Sequence, residues 1–237
     1  SRFLQRFPME RYMQKLIDGY ARFRTKVFPQ QSGLFEKLAK GQQPQALFIC
    51  CSDSRVVPEV VMQCEPGTLF PCRSVGNLVP PPTETASGVA ATIEYAIRVL
   101  RIPDVIVCGH SDCGAMKGVL ESDKIESLPA VRSYLQHAGP SSRWLTRLLK
   151  DSTSLSFEQR LKLLTEANVI AQLHNLRNHP AVHEALHDNS VRIHGWIYEI
   201  GTGVIQQFDA EQGCFRPLLT EEQTSATAPS NRERRVA

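Results

Sequence analysis

Ala46-Leu47-Phe48-Ile49-Cys50 runs straight into Cys51-Ser52-Asp53-Ser54-Arg55, and Val105-Ile106-Val107-Cys108 is followed, after Gly109, by His110-Ser111-Asp112-Cys113-Gly114. Both apolar runs have strand length. Continuous rather than alternating hydrophobicity marks a strand buried on both faces, as in a parallel sheet. A third such run extends from Thr68-Leu69-Phe70 to Cys72. An open parallel sheet binds ligands just past the carboxyl ends of its strands, which is where the two polar segments fall.

Helical patterns fill the intervals. Residues 9–28 form an amphipathic stripe of Met9, Met13, Leu16, Ile17, Tyr20, Phe23 and Val27. A short helix is expected over 32–40, ending near Gly41. After Pro80-Pro81-Pro82, residues 83–100 read as a helix whose core stripe is Val89, Ile93, Ala96, Ile97 and Leu100, with Tyr95 pointing away from it. Residues 128–137, 141–150 and 156–178 are further helices, and His179-Pro180 starts a new one. Val191 to Ile200, the turn Gly201-Thr202-Gly203 and Val204 to Phe208 read as a hairpin. Strands alternating with helices predict one α/β domain over 9–219, with 1–8 a leader and 220–237 a polar, disordered tail.

Composition narrows the function classes. The chain has 237 residues, 42% of them hydrophobic and 22% charged, enough for a sizeable core. A formal charge of +3, evenly spread, argues against a nucleic-acid partner. No apolar run approaches the ~20 residues of a membrane span, and residues 1–8 lack the pattern of a secretory signal. Seven cysteines, an odd count in a long chain, suit reduced cytoplasmic thiols better than a disulfide framework.

If the two strands are neighbours, Cys51, His110 and Cys113 converge. Two thiolates and an imidazole suit zinc, and three protein ligands leave a fourth position for water, as in a catalytic site. Asp53, two residues from a ligand, is placed to accept the hydrogen bond of a metal-bound hydroxide and fix its orientation. Arg55 is placed to hold that carboxylate bidentately and keep it ionised. The bland reading is two unrelated residues in His110-x-x-Cys113 and a strand-end thiol at Cys51. Cys50 competes with Cys51, but adjacent strand residues point to opposite faces, so both cannot ligate. Cys64, Cys72, Cys108 and Cys214 read as packed thiols. His179, His183 and His187, with His174 upstream, have helical spacing but no carboxylate or cysteine to complete a site; a solvated helix face is expected.

Together the two segments resemble the paired signature of the β-class carbonic anhydrases, in their bacterial, plant-like branch. The resemblance runs from about Tyr12 to Leu218 and includes Glu65-Pro66-Gly67, Gly76-Asn77-Leu78-Val79-Pro80, Glu94-Tyr95 and His194-Gly195-Trp196. It implies a mostly parallel four-stranded sheet with an antiparallel edge strand, flanked by helices, with N-terminal helices wrapping a dimer partner. It implies Zn2+ on Cys51, His110 and Cys113. The implied reaction is reversible hydration of carbon dioxide to bicarbonate and a proton, by a zinc-bound hydroxide oriented by the Asp53–Arg55 dyad. The substrate pocket falls on Gln42, Phe70, Val75 and Tyr95, some across the dimer interface, with the Gly114 amide approaching the substrate oxygen.

The family also varies in whether the aspartate caps the metal as a fourth ligand in a closed state. The capped kind carries a tryptophan three residues before the first cysteine; here that residue is Phe48, and Gln42 matches the other kind. An open, water-bound zinc is therefore expected at neutral pH, with Asp53 a fourth ligand only in a closed state. Two thiolates should leave that water a weaker acid than in a three-histidine site, where its pKa is ~7. One departure stands out: where many members read Arg-Asn-Ala-Gly-Asn, this chain reads Arg73-Ser74-Val75-Gly76-Asn77. The expected assembly is a homodimer pairing to a tetramer or larger, in the cytoplasm, with a bacterial microcompartment as the alternative. Attack on carbon disulfide or a related heterocumulene, and a non-catalytic scaffold role, are the competing function classes.

Overall fold

The computed structural model describes residues 9–84, 86–150, 155–220 and 223, with side chains from residue 12 and without those of 148–150. The leader expected over 1–8 and nearly all of the tail expected over 220–237 lie outside the described residues. The chain divides into two compact units, 1–42 and 43–237.

In the first unit, α1 (Met9–Arg22) continues through a wider turn, Phe23–Val27, and a tighter one, Phe28–Gln31, into α2 (Ser32–Leu38). Three rings knit the turn together: Phe23 lies 5.9 Å from Phe28 and 5.7 Å from Phe35, and Phe28 stacks on Phe35 at 5.2 Å. Such aromatic pairs add ~1 kcal/mol beyond area burial. On α1, Tyr12, Met13, Leu16, Ile17 and Tyr20 are all exposed.

The second unit is built on a six-stranded sheet. In chain order its elements are β1 (Ala46–Cys51), α3 (Pro58–Val61), β2 (Leu69–Ser74), α4 (Gly88–Glu94), β3 (Asp104–His110) and α5 (Gly114–Leu120). Then come α6 (Pro129–Tyr134), α7 (Gly139–Lys150), α8 (Phe157–Asn178), α9 (Pro180–His187), β4 (Arg192–Tyr198), β5 (Ile205–Asp209) and β6 (Cys214–Pro217). The strand order is β2-β1-β3-β4-β5-β6, the first four parallel and the last two antiparallel.

Every residue of β1 is buried, as its unbroken apolar run requires. The pleat sends Leu47 and Ile49 into one cluster with Val105, Val107, Ile93 and Val182, and Phe48 and Cys50 into another with Ile106 and Cys108. Helix α8 crosses β3 and β4 so closely that a Cβ at Gly195 would meet Leu173 Cδ1 at 2.6 Å. Only glycine lets the helix sit there.

Three boundaries differ from the sequence reading, each for a local reason. Helix α4 starts at Gly88, not Thr83, because the Ser87 hydroxyl caps it by accepting from the Ala90 amide at 3.1 Å. Strands β1 and β3 run on to include Cys51 and His110, so those two residues end strands rather than follow them. The antiparallel part has two strands, not one. β6 is four residues long with one half-buried side chain, Phe215, against Phe208 at 5.3 Å, too short to register as a pattern. Pro71, anomalous for a strand, is tolerated because β2 is the sheet edge.

Candidate metal centre and its surroundings

β1 and β3 are adjacent and in register, Cys50 opposite Cys108, so both strands end at the same rim of the sheet. Cys51 closes β1 and His110 closes β3. Between β3 and α5 the chain turns through Asp112, whose φ of +58° is left-handed, and brings Cys113 back as the residue just ahead of α5. The Cys51 sulfur, a His110 ring nitrogen and the Cys113 sulfur lie within 4.8 Å of one another, all buried. Among the described residues this is the one cluster of its kind.

The histidine tautomer follows from its hydrogen bond. His110 Nδ1 lies 2.9 Å from the Ser111 carbonyl, which can only accept, so Nδ1 carries the hydrogen. Nε2 therefore has a bare lone pair, and it is buried with no hydrogen-bond partner. A buried orphan nitrogen is costly unless something binds it. A cation between two sulfurs and this lone pair fits, with ligand types that zinc accepts. The thiol energetics set Cys51 apart from the other buried cysteines. The Cys113 thiol beside it, then the Asp53 and Gly76 amides, hold Cys51 below the ordinary thiol range; Cys113 is pushed up in turn by Cys51 and by burial. Burial alone dominates elsewhere, pushing Cys50 up to about 12 and Cys72 up to about 11. Cys50 thus faces the other side of the sheet as a packed thiol.

Asp53 and Arg55 form a closed fork. Arg55 Nε donates to Asp53 Oδ1 at 2.9 Å and Nη2 to Oδ2 at 2.7 Å, while the Arg55 amide adds a bond to Oδ1 at 3.0 Å. These hold the Asp53 carboxyl well below the usual carboxylate range. Asp53 Oδ2 stands 4.0 Å from His110 Nε2. The carboxylate is beside the cluster without belonging to it.

Residues to which the sequence reading gave no role build the frame. Arg73 Nη2 donates to the carbonyls of Asp53 at 2.7 Å and Val56 at 2.8 Å, pinning the loop after β1. Gly76, at φ +68°, presents its amide to the Cys51 sulfur at 3.4 Å, and a Cβ there would meet Ala115 Cβ at 2.9 Å. From α8, Asn168 donates to the Gly76 carbonyl at 3.1 Å, Gln172 accepts from the Val79 amide at 2.9 Å, and Asn175 donates to the Val79 carbonyl at 2.8 Å. Three amide side chains on one helix face were the available signal. Ser74, in place of the family asparagine, is buried and donates to the Leu78 carbonyl at 3.1 Å, closing the same loop.

The expected pocket residues are only partly gathered. Phe70 and Tyr95 stack with centroids 6.2 Å apart, and Tyr95 is 46% exposed, off the core stripe as its spacing required. Val75, also exposed, lines a cavity of 580 Å³ with Ser52, Arg73, Ser74 and Tyr134. Gly114 is the first residue of α5, and Gln42 is exposed at the end of the first unit. The histidine face is solvated only in part: His174, His183 and His187 are exposed, but His179 is buried with Nε2 2.9 Å from the Pro80 carbonyl. Its place ahead of Pro180 turns it inward.

Comparison with known proteins agrees with this geometry. The family described as carbonic anhydrase matches residues 46–205. A carbonic anhydrase of Pseudomonas aeruginosa is 44% identical, over 90% of this chain and 96% of its own length. Carbonic anhydrase 1 of Escherichia coli O157:H7 is 40% identical, again over 90% and 96%. Among solved structures, the β-carbonic anhydrase CcaA superposes with a TM-score of 0.83 at 40% identity, covering 87% of this chain and 99% of that one. A tetrameric β-carbonic anhydrase of Sordaria macrospora gives 0.73 at 28% identity, covering 89% and 100%.

Proposed function

The chain belongs to the β-class carbonic anhydrases, and on that premise we propose that it hydrates carbon dioxide with zinc held by Cys51, His110 and Cys113. The observation that carries the reading is the His110 Nε2 lone pair, buried, unpartnered and grouped with two sulfurs. Zinc, when bound, would lower the pKa of a coordinated water and so supply a hydroxide nucleophile, at somewhat higher pH than in a three-histidine site.

The chain's own groups do the rest. Asp53, kept anionic by Arg55, has Oδ2 4.0 Å from His110 Nε2, where it would accept a hydrogen bond from the nucleophile and fix its direction. With both its oxygens bound by Arg55, the carboxylate is restrained from ligating the metal itself, which favours the open state. The Gly114 amide, at the start of α5 and next to Cys113, is free to meet a developing oxyanion. Gln42, Phe70, Val75 and Tyr95 are assigned to the carbon dioxide pocket. The exposed apolar stripe of α1 supports a homodimer in which N-terminal helices cross to a partner, and the tetrameric relative supports further pairing. Seven free cysteines accord with a cytoplasmic enzyme. The domain is taken as 9–219, with the tail beyond it dispensable for chemistry.

The test is stopped-flow carbon dioxide hydration by the purified protein before and after removal of metal by a chelator, then with zinc restored. Activity that vanishes and returns with zinc supports the assignment. Full activity in the metal-free protein contradicts it.

A further inference from the structure

Arg55 is gripped from both sides. While Nε and Nη2 serve Asp53, Nη1 donates to Asp112 Oδ2 at 2.9 Å and Nη2 also reaches the Asp112 carbonyl at 3.2 Å. Asp112 offers both oxygens because its left-handed backbone, φ +58°, turns carbonyl and side chain to the same arginine. Its other carboxylate oxygen, Oδ1, is paired with Lys117, one turn into α5. A continuous chain, Lys117–Asp112–Arg55–Asp53, thus ends beside His110 Nε2.

We propose that Asp112 and Lys117 are positioning residues that lock the Arg55 guanidinium, so that Asp53 stays bound to the arginine and off the metal. The proposal rests on the reading of the metal site given above. Its logic is one of magnitudes. The side chains of Arg55, Asp112 and Lys117 are 43%, 52% and 38% exposed, and exposed pairs contribute little to stability. A network so placed is a poor fold stabiliser. It acts instead on one flexible side chain, since a free arginine samples many rotamers and fixing it takes several bonds at once.

Among the described residues, Asp112 is the side chain that holds Nη1. The guanidinium borders a cavity of 750 Å³, open to it and lined also by Ser111, Glu158, Glu166 and Glu199. Swinging toward that cavity, Arg55 would release both side-chain bonds to Asp53, leaving only the one from its own amide. A released carboxylate next to His110 Nε2 is a competent zinc ligand. Lys117 has the complementary task. By balancing the Asp112 charge, it keeps Asp112 from drawing the guanidinium off Asp53.

The experiment compares wild type with Asp112→Ala, Asp112→Asn and Lys117→Met. It measures metal content, steady-state hydration at one neutral pH, and the visible absorption of the cobalt(II)-exchanged proteins. Asp112→Ala should bind one metal per chain yet show shifted cobalt bands, as a carboxylate takes the open position. Its kcat should fall about tenfold, with KM within about twofold. Asp112→Asn, which keeps an oxygen acceptor for Nη1, should recover most of kcat and the wild-type bands, and Lys117→Met should fall between. Wild-type bands and kcat in Asp112→Ala would overturn the proposal. So would equal losses in Asp112→Ala and Asp112→Asn with unshifted bands, the pattern of a merely structural role. If Asp112→Ala does not fold, shifted bands in Lys117→Met decide for the proposal and unshifted bands against it. A wild type without metal or activity would instead defeat the underlying reading of the site, and the proposal with it.

Discussion

Both oxygens of Asp53 are engaged by the side chain of Arg55, at 2.9 and 2.7 Å, yet Oδ2 still stands 4.0 Å from the unpartnered nitrogen of His110. On the proposed reading, the carboxylate directs a reacting group while the arginine keeps it from becoming a ligand. Two residues apart on the turn after β1, the pair needs no long-range packing to find each other. What the fold adds is the neighbour strand that brings His110 alongside.

Replacing Asp53 by Asn should leave the metal in place and lower kcat by about a hundredfold. The pH dependence has a definite sign. Arg55 depresses the folded-state pKa of Asp53, so its contribution to stability is present above the unfolded value of ~4 and lost only as pH falls through the lower folded value. Asp53 is consequently ionised throughout the neutral range. Asp53→Asn should reduce activity at every pH from about 6 to about 9 rather than move the acid limb. A full recovery of activity at the alkaline end would refute this, as would loss of metal in the variant.

Gly76→Ala should be costly for two reasons that act together. The backbone sits at φ +68°, and the new Cβ would press on Ala115 Cβ at 2.9 Å. A loss of ~1–3 kcal/mol in unfolding free energy is expected, together with weaker metal retention, because the Gly76 amide faces the Cys51 sulfur. Denaturant unfolding and metal release in a competing chelator check both halves. Unchanged values in both would show that the loop relaxes freely.

Gln172→Met preserves volume but not hydrogen bonding. It strips the acceptor from the Val79 amide and a donor from Asn168, both in the interior. About 1–3 kcal/mol of destabilisation should follow from the unsatisfied groups. Gln172→Glu should fare no better, since it places a charge in a fully buried site. Chemical denaturation of the two variants is the check, and a stability equal to wild type in Gln172→Met would contradict the role given to α8.

The parallel core was legible because β1, β2 and β3 are short apolar runs ended by polar segments, and because a strand's two faces alternate. That alternation alone separated Cys51 from Cys50, which the packing clusters then place on opposite sides of the sheet. The grouping of Cys51, His110 and Cys113 was readable from residue type and strand end. The frame was not. Arg73 and Asn168 act through backbone carbonyls, and Gln172 and Asn175 bind both backbone groups of Val79 across more than ninety residues of sequence. Nothing local marks such a partner. β6 went unseen for a different reason: four residues with one inward ring give no period to detect.

The central claim is that Cys51, His110 and Cys113, and not Cys50, hold one zinc ion. Zinc per chain in wild type, Cys50→Ser and Cys51→Ser, measured by elemental analysis on protein of known concentration, tests it most directly. Cys50 is fully buried away from the cluster, so Cys50→Ser should keep about one zinc per chain at some cost in stability from its buried hydroxyl. Cys51→Ser should retain little or none. Zinc retained at the wild-type level in Cys51→Ser, or lost in a folded Cys50→Ser, would contradict the account.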